Sequence, residues 1–242
     1  MRFARSVSCV ERLFFCSIYE MHIPLTRIQK LIVERMSKSK RSKPCFYIET
    51  RADVTELMAI RPRLRKSLGV QITTNAFYIR ALGLAAQRYP LVTGQFDGNS
   101  IRLADEINVG FAVNAPQGLV VPVVRDAEKK TLPEIAREEK LLTDKARDNQ
   151  LTLEDIEGET IALSNLGVYG VDSFLGIVPP PASIILAIGN VVAVVGCENG
   201  KIAVQKILRL SLAADRRVIH EVYAARFLAF IKEQLQNPTE LI

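Results

Sequence analysis

The feature that most constrains this chain is an apolar run near the C-terminus that ends abruptly in charge. Residues Leu210–Ala214 are apolar apart from one serine, as in a buried strand, and the charged residues Asp215–Arg217 follow directly. His220 comes next, and then a helical pattern over Val222–Leu235. Ionisable side chains at the end of a buried strand, beside the start of a helix, are typical of a functional site. We expect the helix to pack inward through Val222, Ala225, Phe227, Leu228, Ile231 and Leu235.

Helical and strand patterns alternate along the rest of the chain. Pro62 predicts a kink or break near Arg61, and Pro122 predicts a sheet edge or a bulge. No internal repeat or low-complexity linker interrupts the pattern, so we expect one compact domain over residues 21–242. The predicted helices are Ile28–Met36 with Thr26 as N-cap, Val54–Leu68, Ala76–Arg88 and Leu132–Arg147. The predicted strands include Cys45–Asp53, Leu119–Val124, Thr160–Leu163, the core strands Ala182–Gly189 and Val191–Val195, and Lys201–Leu208.

The positive charge is local. Residues 27–66 hold twelve basic and four acidic residues, a net charge of +8, whereas the whole chain carries +6. Such a run is usually a solvated surface, and the sharper alternative is a site that attracts phosphates or an acidic partner. No recognised nucleic-acid-binding motif accompanies it, so we expect no nucleic-acid partner.

The cysteines and the hydropathy indicate an ordinary intracellular protein. The four cysteines (Cys9, Cys16, Cys45 and Cys197) form no CxxC pair, which favours reduced thiols and a cytoplasmic location. No apolar run approaches the roughly 20 residues of a membrane span, so we expect no membrane partner.

Residues 1–20 stand apart from the domain as an N-terminal extension. Arg, Ser and aromatic residues occur there, but Glu11 interrupts the short apolar patch around Phe14. Three interpretations remain open: a transit peptide, an arm that packs on a neighbouring subunit, or an upstream misread start before Met21.

A second candidate site is the segment Ser164–Gly170, which follows an apolar strand. A nucleophile elbow needs glycine two residues before and after the serine, and this chain has Ala162 and Leu166 there. A nucleophilic Ser164 is therefore disfavoured. The hydroxyl could instead donate a hydrogen bond to a developing oxyanion, or Ser164 and Asn165 could simply cap a turn.

Several motifs in the same order resemble the catalytic domain of the dihydrolipoamide acyltransferases of 2-oxo acid dehydrogenase complexes. The likeness is collinear over about 220 residues from Ile23 onward. We expect no lipoyl or subunit-binding domain on this chain. The segments that carry the resemblance are Gly118–Ala127, Asp155–Gly170, Phe174–Gly189, Leu210–Glu221 and Pro238–Ile242.

The resemblance implies a fold and an activity. The fold is the α/β two-layer architecture of chloramphenicol acetyltransferase, with helices packed on a large mixed sheet. Members of this family transfer an acyl group between coenzyme A and dihydrolipoamide in a channel between subunits of a trimer. In their Asp-His-Arg-Val-x-Asp-Gly signature, the histidine takes the proton from the thiol, and a Ser or Thr hydroxyl stabilises the oxyanion.

This chain departs from that signature. Asp215 keeps the first position, Arg216 occupies the place of the general base, and His220 occupies that of the second aspartate. Ser164 matches the oxyanion-stabilising hydroxyl. A guanidinium stays protonated at neutral pH, and loss of a general base costs about 10²–10⁴ in rate.

Two hypotheses follow. The first is a self-assembling structural core that is catalytically impaired or inactive, a pseudoenzyme that binds itself as a trimer or a higher assembly and other complex components. The second is an acyltransferase that uses a substituted base such as His220, with coenzyme A as its acyl carrier. We expect no metal, because His22 is the only other histidine and no HExxH pattern follows His220.

Overall fold

A computed structural model describes residues 22–25, 27–198 and 200–242. The N-terminal extension and the predicted N-cap Thr26 lie outside these residues. The helices are α1 Arg27–Ser42, α2 Thr55–Leu68, α3 Thr74–Arg88, α4 Leu132–Arg147 and α5 Glu221–Gln236. The strands are β1 Cys45–Asp53, β2 Gln95–Phe96, β3 Ile101–Arg102, β4 Val109–Phe111, β5 Val113–Ala115, β6 Gly118–Val120, β7 Val123–Val124, β8 Ile161–Asn165, β9 Ile184–Glu198 and β10 Lys201–Asp215.

A six-stranded mixed sheet in the order β1-β10-β9-β8-β4-β7 forms the centre of the fold. Strand β8 runs parallel to both β4 and β9, and the other neighbours are antiparallel. Two small hairpins, β2-β3 and β5-β6, lie outside this sheet. The predicted two-layer α/β fold with a large mixed sheet is confirmed.

The main core lies between the sheet and the helices. Because side chains alternate along a strand, Leu210, Leu212 and Ala214 all point to the helical face, where each is 0% exposed. Phe77 of α3 and Phe227 of α5 are equally buried. Full burial of each large apolar side chain contributes about 1.5–3 kcal/mol, so this face makes a large favourable contribution to folding.

Strands β9 and β10 form one long antiparallel ribbon, which corrects the prediction of separate core strands. The ribbon extends past its neighbours in the sheet, since β8 pairs with β9 only as far as Ile188 and β1 pairs with β10 only as far as Ile207. Beyond that point Val195 is 78% exposed and Ile202 86% exposed. Val191 still packs against the main core, but Val192, Val194 and Val195 are exposed, so Val191–Val195 as a whole is not a core strand.

Three other local predictions differ from the structure. Helix α2 runs unbroken through Pro62, so the predicted break is wrong. The apolar run Leu119–Val124 splits into β6 and β7 around Pro122, which has no N–H for a sheet ladder. On α5, Val222 and Ala225 are exposed, because Ala224 shares the buried stripe with Phe227 and Leu228.

Helix α1 is attached to the rest of the fold through its polar side chains. The Ser39 hydroxyl donates to the carbonyl of Val178 at 2.5 Å, and Arg35 donates to Pro180 at 2.9 Å. Lys43, just after the helix, donates to the carbonyl of Ala182. These bonds position the basic segment, whose sequence was expected to be a solvated surface. Each described helix is too short or too polar to cross a lipid bilayer.

Glu159 lies beneath this basic segment. It is 7% exposed, and its Oε2 atom has no hydrogen-bond partner among the described residues. Burial raises the pKa of Glu159 to about 7, and the charges of Arg35 and Lys43 oppose this rise only in part. The folded state therefore binds a proton at Glu159 more tightly than the unfolded state does.

Glu159 should make the protein less stable as the pH rises. Its stabilising proton is fully present below the unfolded pKa of 4.5 and is lost as the pH passes about 7, at a cost of about 3 kcal/mol. Glu159→Gln should remove this part of the pH dependence in urea unfolding measured from pH 4 to pH 8. The exposed neighbour Glu157 supplies the control Glu157→Gln. An unchanged slope in Glu159→Gln would contradict the assignment.

Candidate active site

The turn after β10 is built on the buried carboxylate of Asp215. Asp215 is 1% exposed, and it accepts hydrogen bonds from Nε and Nη2 of Arg217 at 3.0 and 2.6 Å. This carboxylate raises the pKa of the Arg217 guanidinium, which also lies over the ring of Phe96 at 4.8 Å. Asp215 therefore orients Arg217, and the pair fixes the start of the turn.

Arg216 points away from this buried pair. Its side chain is 53% exposed, and its Nε donates to Oε1 of Glu221 at 2.7 Å. Its backbone N–H donates to the carbonyl of Pro44, which ties the turn to the start of β1. An exposed ion pair of this kind contributes at most about 1 kcal/mol, so Arg216 can exchange Glu221 for another anion at low cost. The guanidinium offers donors only and cannot accept a proton.

His220 caps the N-terminus of α5. Its Nδ1 atom accepts a hydrogen bond from the backbone N–H of Tyr223 at 3.3 Å. In a neutral imidazole with Nδ1 as acceptor, the proton lies on Nε2, so the exposed side of the ring has no free lone pair. His220 shares the turn with Arg216, but the cap occupies the atom that a base would use.

Ser164 lies on β8, far from the turn in the same chain. It pairs with Ala187, which pairs in turn with Ser211 of β10. Two strand spacings of about 4.8 Å and four residues of about 3.3 Å place Ser164 and Asp215 about 16 Å apart. Arg216 and His220 are thus brought together, whereas Ser164 is not brought to them within one chain.

Sequence reasoning missed a cavity beside the turn. It has a volume of about 240 Å³ and lies between α1, β1 and the segment around Ile177; its lining is Ser39, Lys40, Lys43, Pro44, Cys45, Tyr47, Ile177 and Val178. Burial raises the pKa of the Cys45 thiol, so the thiol stays protonated near neutral pH. The antiparallel pairing of Cys45 with Asp215 brings this cavity to the turn, and no local motif in the sequence announces that pairing.

A larger cavity of about 760 Å³ lies away from all three predicted site residues. It opens between α2, α5 and the β10 ribbon, and its lining is Asp53, Thr55, Glu56, Ala59, Val204, Gln205, Ala229, Lys232, Glu233, Gln236 and Asn237. Its size alone does not make it the functional site, since the residues that carry the signature and the candidate oxyanion position lie elsewhere. Across the described ranges, no group of three or more His, Cys, Asp or Glu side chains is placed to hold a metal ion.

The chain matches a known enzyme family over most of its length. Residues 19–242 match the 2-oxoacid dehydrogenases acyltransferase (catalytic domain) family. The dihydrolipoyllysine-residue acetyltransferase component of the pyruvate dehydrogenase complex of Rickettsia felis is 33% identical over 224 residues, which is 91% of this chain and 54% of that relative. The chain thus spans about half the length of such curated relatives.

Solved structures give the same result. The dihydrolipoamide acetyltransferase of Azotobacter vinelandii, investigated for the catalytic roles of a serine, a histidine and an asparagine, has a TM-score of 0.87 at 26% identity over 98% of this chain and 99% of that one. The cubic core of a pyruvate dehydrogenase multienzyme complex has a TM-score of 0.87 at 27% identity, with the same coverage.

Chloramphenicol acetyltransferase shares the fold alone, with a TM-score of 0.51 at 14% identity over 84% of this chain and 94% of that one. The predicted likeness to that fold is therefore confirmed. Taken with the family match over residues 19–242, it shows that this chain belongs to the family of 2-oxoacid dehydrogenase acyltransferase catalytic domains.

Proposed function

We propose that the chain is a self-assembling core subunit that keeps the acyltransferase scaffold but transfers acyl groups slowly or not at all. The observation that carries this proposal is Arg216, which stands at the signature position of the general base. A permanently protonated guanidinium cannot take the proton of a thiol, so attack on a thioester must depend on the small fraction of thiolate already in solution. The salt bridge between Arg216 and Glu221, at 2.7 Å, further occupies the donors of the Arg216 side chain.

His220 is the alternative base, and its hydrogen bonding argues against that role. The lone pair of Nδ1 receives the Tyr223 N–H, so a thiol proton could be accepted only after the cap opens. Opening the cap would leave a backbone donor of α5 without its partner. The catalytic mechanism of the Azotobacter vinelandii enzyme was investigated at a histidine. This chain has two histidines in all, His22 and His220, and of these His220 lies in the signature segment.

The separation of Ser164 from the turn supports assembly. A single thioester cannot contact two groups about 16 Å apart, so a site that uses both must take Ser164 from one copy and the Arg216 turn from another. We infer a trimer, or a higher assembly of trimers, that binds other components of a 2-oxo acid dehydrogenase complex. A cytoplasmic location remains part of the proposal.

Coenzyme A is the thiol substrate that the family implies. The cavity beside Cys45 is too small for the whole molecule at about 240 Å³, but its Ile177 and Val178 wall and its polar rim suit a narrow arm with amide groups. If coenzyme A binds there, Lys40 at the rim and Arg216 on the turn are the cations available to its phosphates. Coenzyme A would then still bind to a chain that no longer transfers acyl groups.

Restoring the signature should restore catalysis. The triple variant Arg216→His/His220→Asp/Glu221→Gly recreates the base, the second aspartate and the glycine. We expect its rate of acyl transfer from acyl-coenzyme A to dihydrolipoamide to exceed that of the unaltered chain by about 10²–10⁴, the usual contribution of a general base. The matched control is His220→Asp/Glu221→Gly, which keeps Arg216 and should stay as slow as the unaltered chain.

Two outcomes would contradict the proposed loss of the base. One is a triple variant that folds and assembles like the unaltered chain but gains no rate. The other is an unaltered chain that already turns over rapidly and loses that activity in His220→Ala. Adding Ser164→Ala to the triple variant should lower kcat by about 10²-fold or more if the hydroxyl stabilises the oxyanion.

The assembly can be tested separately from the chemistry. Native mass spectrometry of the unaltered chain should give a multiple of three subunits at micromolar concentration. Ser164→Ala should not change the number of subunits, because the hydroxyl is assigned to chemistry and not to assembly. A clean monomer or dimer would refute the proposed trimer.

A further inference from the structure

A series of hydrogen bonds runs from the helical layer to the turn at Gly167, which follows the end of β8, the strand that carries Ser164. The side chain of Asn165 lies on the helical side of β8, where its Nδ2 donates to Oδ1 of Asn75 at 2.8 Å. Its Oδ1 accepts the backbone N–H of Gly167 at 2.9 Å. Successive residues of a strand face opposite sides of the sheet, so Ser164 itself points to the other face. Asn165 therefore holds the turn from behind while leaving the Ser164 hydroxyl accessible.

The far end of this series is a buried carboxylate. Glu139 of α4 is 5% exposed, and its Oε2 accepts from the Thr73 hydroxyl at 2.6 Å. The side chain of Asn75 is the second neighbouring donor, and it helps to lower the pKa of the carboxyl. Burial raises the pKa of Glu139, and the hydrogen bonds from Thr73 and Asn75 and the charge of Arg147 oppose the rise. The carboxylate is thus desolvated but well supplied with donors.

The carboxylate sets the direction of every bond in the series. Asn75 turns its oxygen toward Asn165, which leaves its NH₂ group as the donor for Glu139. An ionised carboxylate only accepts, so this orientation is the one that suits Glu139 in its ionised form. Asn165 must then donate to Asn75 and keep its own oxygen for Gly167. Without the charge, each amide could rotate by half a turn, and the Gly167 N–H would meet an NH₂ group in place of an acceptor.

The backbone at Gly167 leaves little room for such a change. A Cβ at this position would collide with the carbonyl of Gly189 on β9, so the turn lies directly against the neighbouring strand. The N–H of Leu166 donates to the carbonyl of Ile188 at 3.1 Å, which fixes the same edge. The orientation of the Asn165 side chain therefore decides whether the Gly167 turn can form these contacts with β9. Ser164 is the residue directly before Asn165.

We propose that Asn75 and Glu139 are positioning residues for Ser164, acting through Asn165 and the Gly167 turn. The catalytic meaning of this proposal rests on the proposed role of Ser164 as oxyanion donor. The structural part does not, since it concerns the direction of the hydrogen bonds alone. A core subunit without the general base would thus keep the buried hydrogen bonds that position its oxyanion-stabilising hydroxyl.

The first test measures the turn directly in the otherwise unaltered assembly. Asn75→Ala and Glu139→Gln should speed hydrogen–deuterium exchange of the Gly167 amide about tenfold, the effect of losing one such hydrogen bond. The matched control is Glu138→Gln, which changes the neighbouring carboxylate of α4, an ion pair with Lys130. Unchanged exchange in both Asn75→Ala and Glu139→Gln would overturn the proposal, whatever the activity of the protein.

The second test separates hydrogen-bond direction from packing. Asn75→Asp alone places two carboxylates side by side and should speed the exchange as Asn75→Ala does. In the double variant Asn75→Asp/Glu139→Gln, the carboxylate introduced on α3 can accept from the amide introduced on α4 and from Asn165. The exchange should then return to within about threefold of the unaltered rate. If the double variant exchanges at the product of the single effects, the pair has no directional role.

The third test adds chemistry. In the variant with the restored signature, Glu139→Gln should lower kcat about tenfold with little change in KM, because a misplaced oxyanion donor weakens the transition state more than the ground state. An inactive restored variant would count against the lost-base proposal alone, since the exchange results stand without it. Normal kcat in a Glu139→Gln variant with fast Gly167 exchange would show that the turn does not position Ser164.

Discussion

Strand β10 lies between β1 and β9, and its last residue, Asp215, is buried with its carboxylate bound to Arg217. An unpaired buried carboxylate would be costly, so the pair holds the turn in one conformation. That conformation places Arg216 in solvent, and α5 begins with His220 as its cap. The geometry of the turn that carries Arg216 and His220 therefore follows from where this one strand ends.

The sheet divides the site between two places. The turn at the end of β10 lies beside α1 and the start of β1, whereas Ser164 lies two strands away on the face opposite the main core. Such a division has little use in a single copy. In the proposed assembly, one copy would supply the turn and the next copy the hydroxyl, and the arginine at position 216 would then affect only the proton-accepting part.

Much of the fold could be predicted from the sequence because periodicity reports burial on a single face. The expected range of the helix Leu132–Arg147 matches α4, and the strand Cys45–Asp53 matches β1. The pattern could not show that the ribbon beyond Val191 is largely exposed, because Val191–Val195 is a continuous apolar run like that of a core strand. It also placed Val222 and Ala225 in the buried stripe of α5, where Ala224 is buried in their place and the other four predicted residues are correct.

The candidate site was predictable only in part. The order of motifs along the chain proposes Ser164, Arg216 and His220 as site residues, but it gives none of the distances among them. The contact between Asn75 and Asn165 joins residues 90 apart in sequence, and both are common turn and cap residues. Nothing local distinguishes them from ordinary caps. Glu139 is the carboxylate proposed to orient these two asparagines. It lies on a helix with two other glutamates, and only its burial sets it apart from them.

The most direct test of the lost base is the pH dependence of acyl transfer by the unaltered assembly. If no side chain takes the thiol proton, any residual rate should rise about tenfold per pH unit from pH 6 to pH 8, following the thiolate in solution, and should be the same in His220→Gln. A rate that instead levels off within this range, and that falls about 10²-fold or more in His220→Gln, would show that a histidine base survives and would contradict the account.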